Sequence, residues 1–155
     1  MSIKYVKGDI TEPQFDTKYC MIIHGVNDTG VSFGSGVAGS IARKWPHARQ
    51  DYLDWGKRNS PLQLGSLYFS DLEYDIDLCH LVSQTGLISK DNPKPAKAEA
   101  IKKGLEKLML GYHYEDTTII SSKIGCGLGG LSWKEVQPIY ESIFTDIDVY
   151  IYDIN

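Results

Sequence analysis

A mixed, mostly parallel α/β sheet is the architecture this sequence predicts. Along the whole chain, short apolar runs alternate with longer amphipathic ones, which is how crossover connections around such a sheet look in sequence. Two of the apolar runs, CMIIH and LCHLVS, hold too few polar residues to offer a wet face, so they read as strands covered on both sides. With 155 residues, 42% of them apolar, the chain has the size and apolar content of one domain spanning 1–155.

Taken from the N-terminus, strands are expected at 3–6 and 19–24, the second being the apolar run that ends on His24. An amphipathic helix follows at 36–45 and a second at 48–59, with Pro46 ending the first. Strands at 66–70 and 77–83 come next. Pro93 and Pro95 precede a helix at 97–110, since proline is tolerated at or before a first turn. The last three elements are a strand at 117–122, a helix at 133–144 and a strand at 148–152. Trp45, Trp55 and Trp133 fall on or beside amphipathic helices and read as packing anchors. LISKDNPKPAK, residues 87–97, is the one stretch expected to be mobile.

Composition narrows the function classes. A formal net charge of −4 argues against a broad nucleic-acid surface, because such binding neutralises phosphates with Lys and Arg. A small phosphate-bearing ligand remains open, since backbone amides bind phosphate without net basic charge. No run reaches the roughly 18 apolar residues of a membrane span, and MSIKYVKGD has no signal-peptide core, so a cytoplasmic monomer is expected. Cys20, Cys79 and Cys126 lie far apart with no CxxC pair or zinc spacing, so neither disulfide, structural metal nor cofactor is expected.

Two loops carry the chemistry. GVNDTGVSFGSGVAGS and KIGCGLGGLSWKEV each stand between a strand and a helix, where glycines let the backbone approach a ligand and a helix start offers unpaired amides to an anion. Neither ends in the Gly-Lys-Ser/Thr of a P-loop and neither has GxGxxG spacing, which argues against a nucleotide kinase or a dehydrogenase. Ligands of open parallel sheets sit beyond the carboxyl ends of strands. The ends at His24 and Ser83, with whatever follows TTIISS, therefore mark the expected pocket.

VKGDI at 6–10, HGVN leading into GSGVAGSI, GCGLGGLSW and the terminal VYIYDI occur in the order used by the macro domain family, and the resemblance covers essentially the whole chain. It is greatest to the branch holding terminal ADP-ribose protein glycohydrolases and ADP-ribose 1''-phosphate phosphatases. The resemblance implies a three-layer α/β/α fold and an ADP-ribose ligand. By position, Asp9 would accept from the adenine amino group with Gly8 and the Ile10 backbone beside it, and Tyr152 would lie against the adenine face. Gly34, Ser35, Gly36, Val37 and Ala38 would wrap the diphosphate and proximal ribose. Gly125, Cys126, Gly127, Leu128, Gly129 and Gly130 would hold the other phosphate and the distal ribose, with Ser83 and Gln84 nearby.

The glycohydrolase branch uses a lysine after its LCHL-like strand and an aspartate in the second glycine loop, where this chain holds Gln84 and Gly129. Glutamine forms no Schiff base and glycine is no acid or base, which argues against that route. His24 resembles the histidine of the phosphatase group, and with Asn27 it is the catalytic candidate, attacking the 1''-phosphate or acting as base toward water. Each candidate also has a plain structural role open to it: Asp9 as a cap, His24 bonding a carbonyl, Tyr152 as core. The leading expectation is a metal-independent phosphatase releasing ADP-ribose from ADP-ribose 1''-phosphate. A non-catalytic ADP-ribose reader, or a hydrolase acting on ADP-ribosylated protein or O-acetyl-ADP-ribose, is the alternative.

Overall fold

The structure, a computed structural model, describes residues 3–111 and 114–153. Six strands form one sheet: β1 (Ile3–Lys7), β2 (Tyr19–Asn27), β3 (Leu67–Glu73), β4 (Ile76–Gln84), β5 (Thr117–Ser121) and β6 (Val149–Asp153). Four helices cover it: α1 (Gly36–Lys44), α2 (Pro46–Arg58), α3 (Ala98–Gly111) and α4 (Trp133–Ile143). The strand order is β1-β6-β5-β2-β4-β3, with every neighbouring pair parallel except β3 and β4. The predicted class and its mixed, mostly parallel sheet are therefore observed.

Alternation along β2 builds the layers. Cys20, Ile22 and Val26 face one side, where Ile41 of α1 and Ala48, Tyr52 and Trp55 of α2 pack on them. Met21 and Ile23 face the other, against Ile101 and Leu105 of α3 and Val136 and Tyr140 of α4. A central strand buried on both faces has no polar alternation, which is why CMII reads as a continuous apolar run. Gly104 lets α3 lie tight on the sheet, since a Cβ there would stand 2.4 Å from Leu81.

Two boundaries differ from the sequence reading, and both matter for the site. Pairing of β2 with β4 continues through Gly25↔Leu81, Val26↔Val82 and Asn27↔Gln84, so β2 ends at Asn27 and not at His24. Pro46 does not merely end α1: it opens α2, where its missing N–H costs nothing. Residues 87–97 are held by hydrogen bonds between Ser89 and Asn92 and from Asn92 Nδ2 to the carbonyls of Thr85 and Leu87. The amide of Ala96 then donates to the Gly129 carbonyl at 3.0 Å. The expected mobile loop is a hydrogen-bonded strap against the second glycine loop.

Candidate functional site

The carboxyl ends of β6, β5, β2 and β4 open into one cavity of about 890 Å³. The loop after β1 gives it Gly8, Asp9 and Ile10, and the end of β6 gives it Tyr152 and Asp153. The first glycine loop supplies Gly34, Ser35, Gly36, Val37 and Ala38, and the second supplies Gly125, Cys126, Gly127, Leu128 and Gly129. Ser83 and Gln84 close the β4 end. All the expected ligand-contacting positions but Gly130 lie on this wall. Gly130 instead ends the loop's tight turn with φ of +83°, and a Cβ there would stand 2.5 Å from the Pro93 carbonyl.

Each loop presents amides by its own geometry. At the start of α1 the N–H groups of Gly36, Val37 and Ala38 precede the first residue with a helical acceptor, Gly39, whose amide bonds Ser35 O at 3.2 Å. No side chain caps that end. In the second loop Gly125 and Gly127 adopt φ of +84° and +66°, which L side chains rarely adopt. Gly127 and Leu128 open the 3-10 turn Gly127–Gly129, so their N–H groups have no acceptor within it. The two loops meet: a Cβ on Gly36 would be 3.6 Å from Leu128 Cδ1.

At the β1–β6 end, Asp9 is exposed, and its Oδ1 accepts from both the amide and the hydroxyl of Thr11 at 2.9 and 2.7 Å. The Thr11 hydroxyl is the main reason that the Asp9 carboxyl titrates below its usual range, with Lys44 and Arg43 adding to it. Asp9 therefore caps the turn and still presents a carboxylate to the cavity. The Tyr152 hydroxyl accepts from the Gln14 amide at 2.9 Å, which holds the ring at the wall.

His24 lies elsewhere. Because β2 runs on to Asn27, His24 sits inside the strand on the α2 side, fully buried and absent from the cavity wall. Its Nε2 is 2.8 Å from His80 Nδ1, and His80 Nε2 is 2.8 Å from Ser70 Oγ. Phe33 packs edge-on against it at 5.5 Å and itself faces the cavity. Burial, then His80, hold the His24 imidazole well below its ordinary pKa, so the ring is neutral. In this position it cannot reach a ligand, and the attack expected from the sequence has no path.

Asn27 does line the cavity, but its side-chain oxygen and one of its amide N–H groups are engaged. Nδ2 donates to Ser32 O at 2.8 Å, while Oδ1 accepts from Thr29 N at 3.0 Å, Thr29 Oγ1 at 2.5 Å and Tyr52 Oη at 2.8 Å. It shapes the loop from within. Gln84 Oε1 stands 3.7 Å from where a Gly129 Cβ would be, so the two positions that depart from the glycohydrolase pattern are neighbours on the cavity wall. Ser83 Oγ is buried there and has no hydrogen-bond partner among the described residues. Burial pushes the Cys126 thiol up, so it is no ready thiolate.

Sequence reasoning did not name Lys123, Asp153, Leu87, Ile88, Phe33 and Ser122 on the wall, although it marked whatever follows TTIISS, which is Lys123. The strand-end rule held the signal for three of them, since Ser122 and Lys123 directly follow β5 and Asp153 ends β6. Lys123 Nζ is 2.8 Å from Asp153 Oδ2 and 5.9 Å from the centre of the Trp133 ring. Nothing local marks Phe33, whose role follows from the burial of His24.

The family model described as Macro domain matches residues 23–140, more than half of the chain. An ADP-ribose 1''-phosphate phosphatase from Lodderomyces elongisporus is 25% identical over 99% of this chain and 100% of its own. An ADP-ribose glycohydrolase from Bos taurus, OARD1, is 28% identical over 98% of this chain and 91% of its own. A macrodomain protein from Streptomyces coelicolor superposes with a TM-score of 0.80 at 28% identity, covering 97% of this chain and 98% of that one. With the strand order, the two glycine loops and the cavity between them, these matches mean that the chain belongs to the macro domain family.

Proposed function

We propose that this chain binds ADP-ribose in the cavity and hydrolyses ADP-ribose 1''-phosphate to ADP-ribose and phosphate. The observation that carries the binding reading is the arrangement of unengaged amides: the start of α1 and the second glycine loop flank one cavity whose far end holds the Asp9 carboxylate. Amides without a helical acceptor suit a diphosphate, and a carboxylate suits an exocyclic amine. In this reading Asp9 and the Ile10 backbone meet adenine beside Tyr152, and residues 34–38 wrap the diphosphate. Residues 125–129 hold the distal ribose with Ser83 and Gln84. The Lodderomyces and Bos taurus relatives, both named for acting on ADP-ribose compounds, support the substrate class.

For the reaction, water adds to phosphorus and the bond from phosphorus to the C1'' oxygen breaks. The second-loop amides take up the charge that develops on phosphate. With His24 out of reach, the water proton passes to a phosphate oxygen of the substrate itself and from there to the C1'' oxygen as it departs, and His24 serves by backing Phe33. With metals chelated, the purified protein should release inorganic phosphate and ADP-ribose from ADP-ribose 1''-phosphate. Intact substrate after hours, beside measurable ADP-ribose binding, would sink the enzymatic half.

One observation favours a second reading, a reader that binds without turnover. Among the described lining residues the titratable groups are Asp9, Lys123, Cys126, Tyr152 and Asp153, and none stands at the β4 end. A side-by-side product screen with ADP-ribose 1''-phosphate, ADP-ribosylated protein and O-acetyl-ADP-ribose separates the cases. Binding with no product from any of the three supports the reader. Product from either of the last two supports a different hydrolase.

A further inference from the structure

The charges on the cavity wall are segregated. Among the described lining residues, Asp9, Lys123 and Asp153 are the charged ones, and they cluster where β1, β6 and β5 end. Three observations place Asp153 beside Asp9. The Gly8 amide donates to the Asp153 carbonyl at 3.1 Å, Gly8 adjoins Asp9, and Tyr152 adjoins Asp153. Among the described lining residues Lys123 is the one cation, with Lys44 and Arg43 acting on Asp9 from outside the lining, and its ammonium rests 2.8 Å from the Asp153 carboxylate. The pair is about one third exposed, so it is open to a ligand and not sealed in the core.

An acidic side chain at the sugar of a bound adenosine accepts from ribose hydroxyls, whereas an unpaired cation there accommodates a ribose phosphate. Here the carboxylate is present and the cation is already committed to it. A carboxylate offers about four lone-pair sites, so holding an ammonium does not by itself stop it from accepting a ribose hydroxyl. We propose that the Lys123–Asp153 pair determines specificity at the adenosine ribose, accepting its free hydroxyls through Asp153 and rejecting ADP-ribose that carries a 2'-phosphate on that sugar. This rests on the ADP-ribose reading above, and it puts the non-reacting adenosine ribose beside Asp9 at the β5–β6 end, where the sequence resemblance had put it at residues 34–38. A 2'-phosphate would bring its dianion against Asp153 while Lys123 could reach it only by abandoning its partner.

The test is calorimetric binding of ADP-ribose and of 2'-phospho-ADP-ribose to the wild-type chain, Asp153→Asn and Lys123→Gln, each checked by melting temperature. Wild type should prefer ADP-ribose by about tenfold or more, the scale of one hydrogen bond to a charged group. Asp153→Asn frees the ammonium and should reverse or erase that preference, while Lys123→Gln should sharpen it. Equal affinities in wild type, or a ratio unmoved by Asp153→Asn in a folded protein, would overturn the proposal and leave the ADP-ribose reading standing. Failure of both nucleotides to bind the wild-type chain would overturn both.

Discussion

His24 and His80 face each other across the β2–β4 pairing with ring centres 4.9 Å apart, both neutral because burial disfavours their charged forms. Burial holds His80 at about 3 against an ordinary 6.5. The unfolded chain therefore takes up this proton near 6.5 while the folded chain refuses it, so this stability is complete above 6.5 and is lost as pH falls toward 3. The slope is roughly 1.4 kcal/mol per pH unit for each proton. Asp77 works the other way: burial, then Asp71, raise it to about 6, so the folded chain keeps a proton that the unfolded one releases near 3.8. Its contribution falls as pH rises through that window and offsets part of the histidine effect. Melting temperature should nonetheless drop on acidification from pH 7 to 5, and less so in His80→Gln. A flat profile would mean that the pair is not neutral in the core. A second residue-scale prediction concerns Asp9: Asp9→Asn should weaken ADP-ribose binding about tenfold or more while moving the melting temperature little, since an asparagine oxygen still caps Thr11. Calorimetry beside thermal melts checks this. The place of Asp9 on the cavity wall was legible from VKGDI, where cap and ligand contact stood as alternatives, and the structure shows the cap. His24 was misread because its access depends on whether β2 stops or continues, and no residue between 24 and 27 signals that.

At the scale of elements, the loop after β2 is fastened to α2. The Gly30 amide donates to the Tyr52 hydroxyl at 2.9 Å, and that hydroxyl donates to Asn27. A Cβ on Gly56 would lie 2.4 Å from Gly30 O, so helix and loop meet backbone to backbone. Gly56→Ala should destabilise the fold by about 1–3 kcal/mol, through the same overpacking that penalises core insertions, and should weaken ADP-ribose binding because the first loop must shift. Denaturant melts and calorimetry test both halves. As a contrast, Ser132→Ala removes one half of the α4 capping box and should cost about 1 kcal/mol with ADP-ribose affinity unchanged. Gly129 behaves differently from Gly125 and Gly127. Its φ is ordinary, yet a Cβ would stand 2.9 Å from Ala96, so Gly129→Ala is crowded by the strap and not strained in its backbone. The elements themselves were legible, because period and proline placement are local. The strap was not: its prolines and charges look slack until Ala96 bonds Gly129 across the chain.

On the scale of the whole molecule, strand order converts scattered segments into one surface. Asp9, Tyr152, the two glycine loops and Ser83 come from five stretches of sequence, and they meet only because β6, β5, β2 and β4 lie side by side. The parallel sheet was legible from CMIIH and LCHLVS, and with it the rule that ligands sit beyond strand ends. Order within the sheet, which puts Lys123 against Asp153, is a long-range fact that alternation does not encode. The fastening of the first loop to α2 has a thermodynamic consequence. A wall whose backbone is already held by Asn27, Tyr52 and Gly56 has little disorder left to lose when a ligand arrives. Association should thus proceed without a slow conformational phase, and its heat-capacity change should match the apolar area covered and no more, because no segment folds on binding.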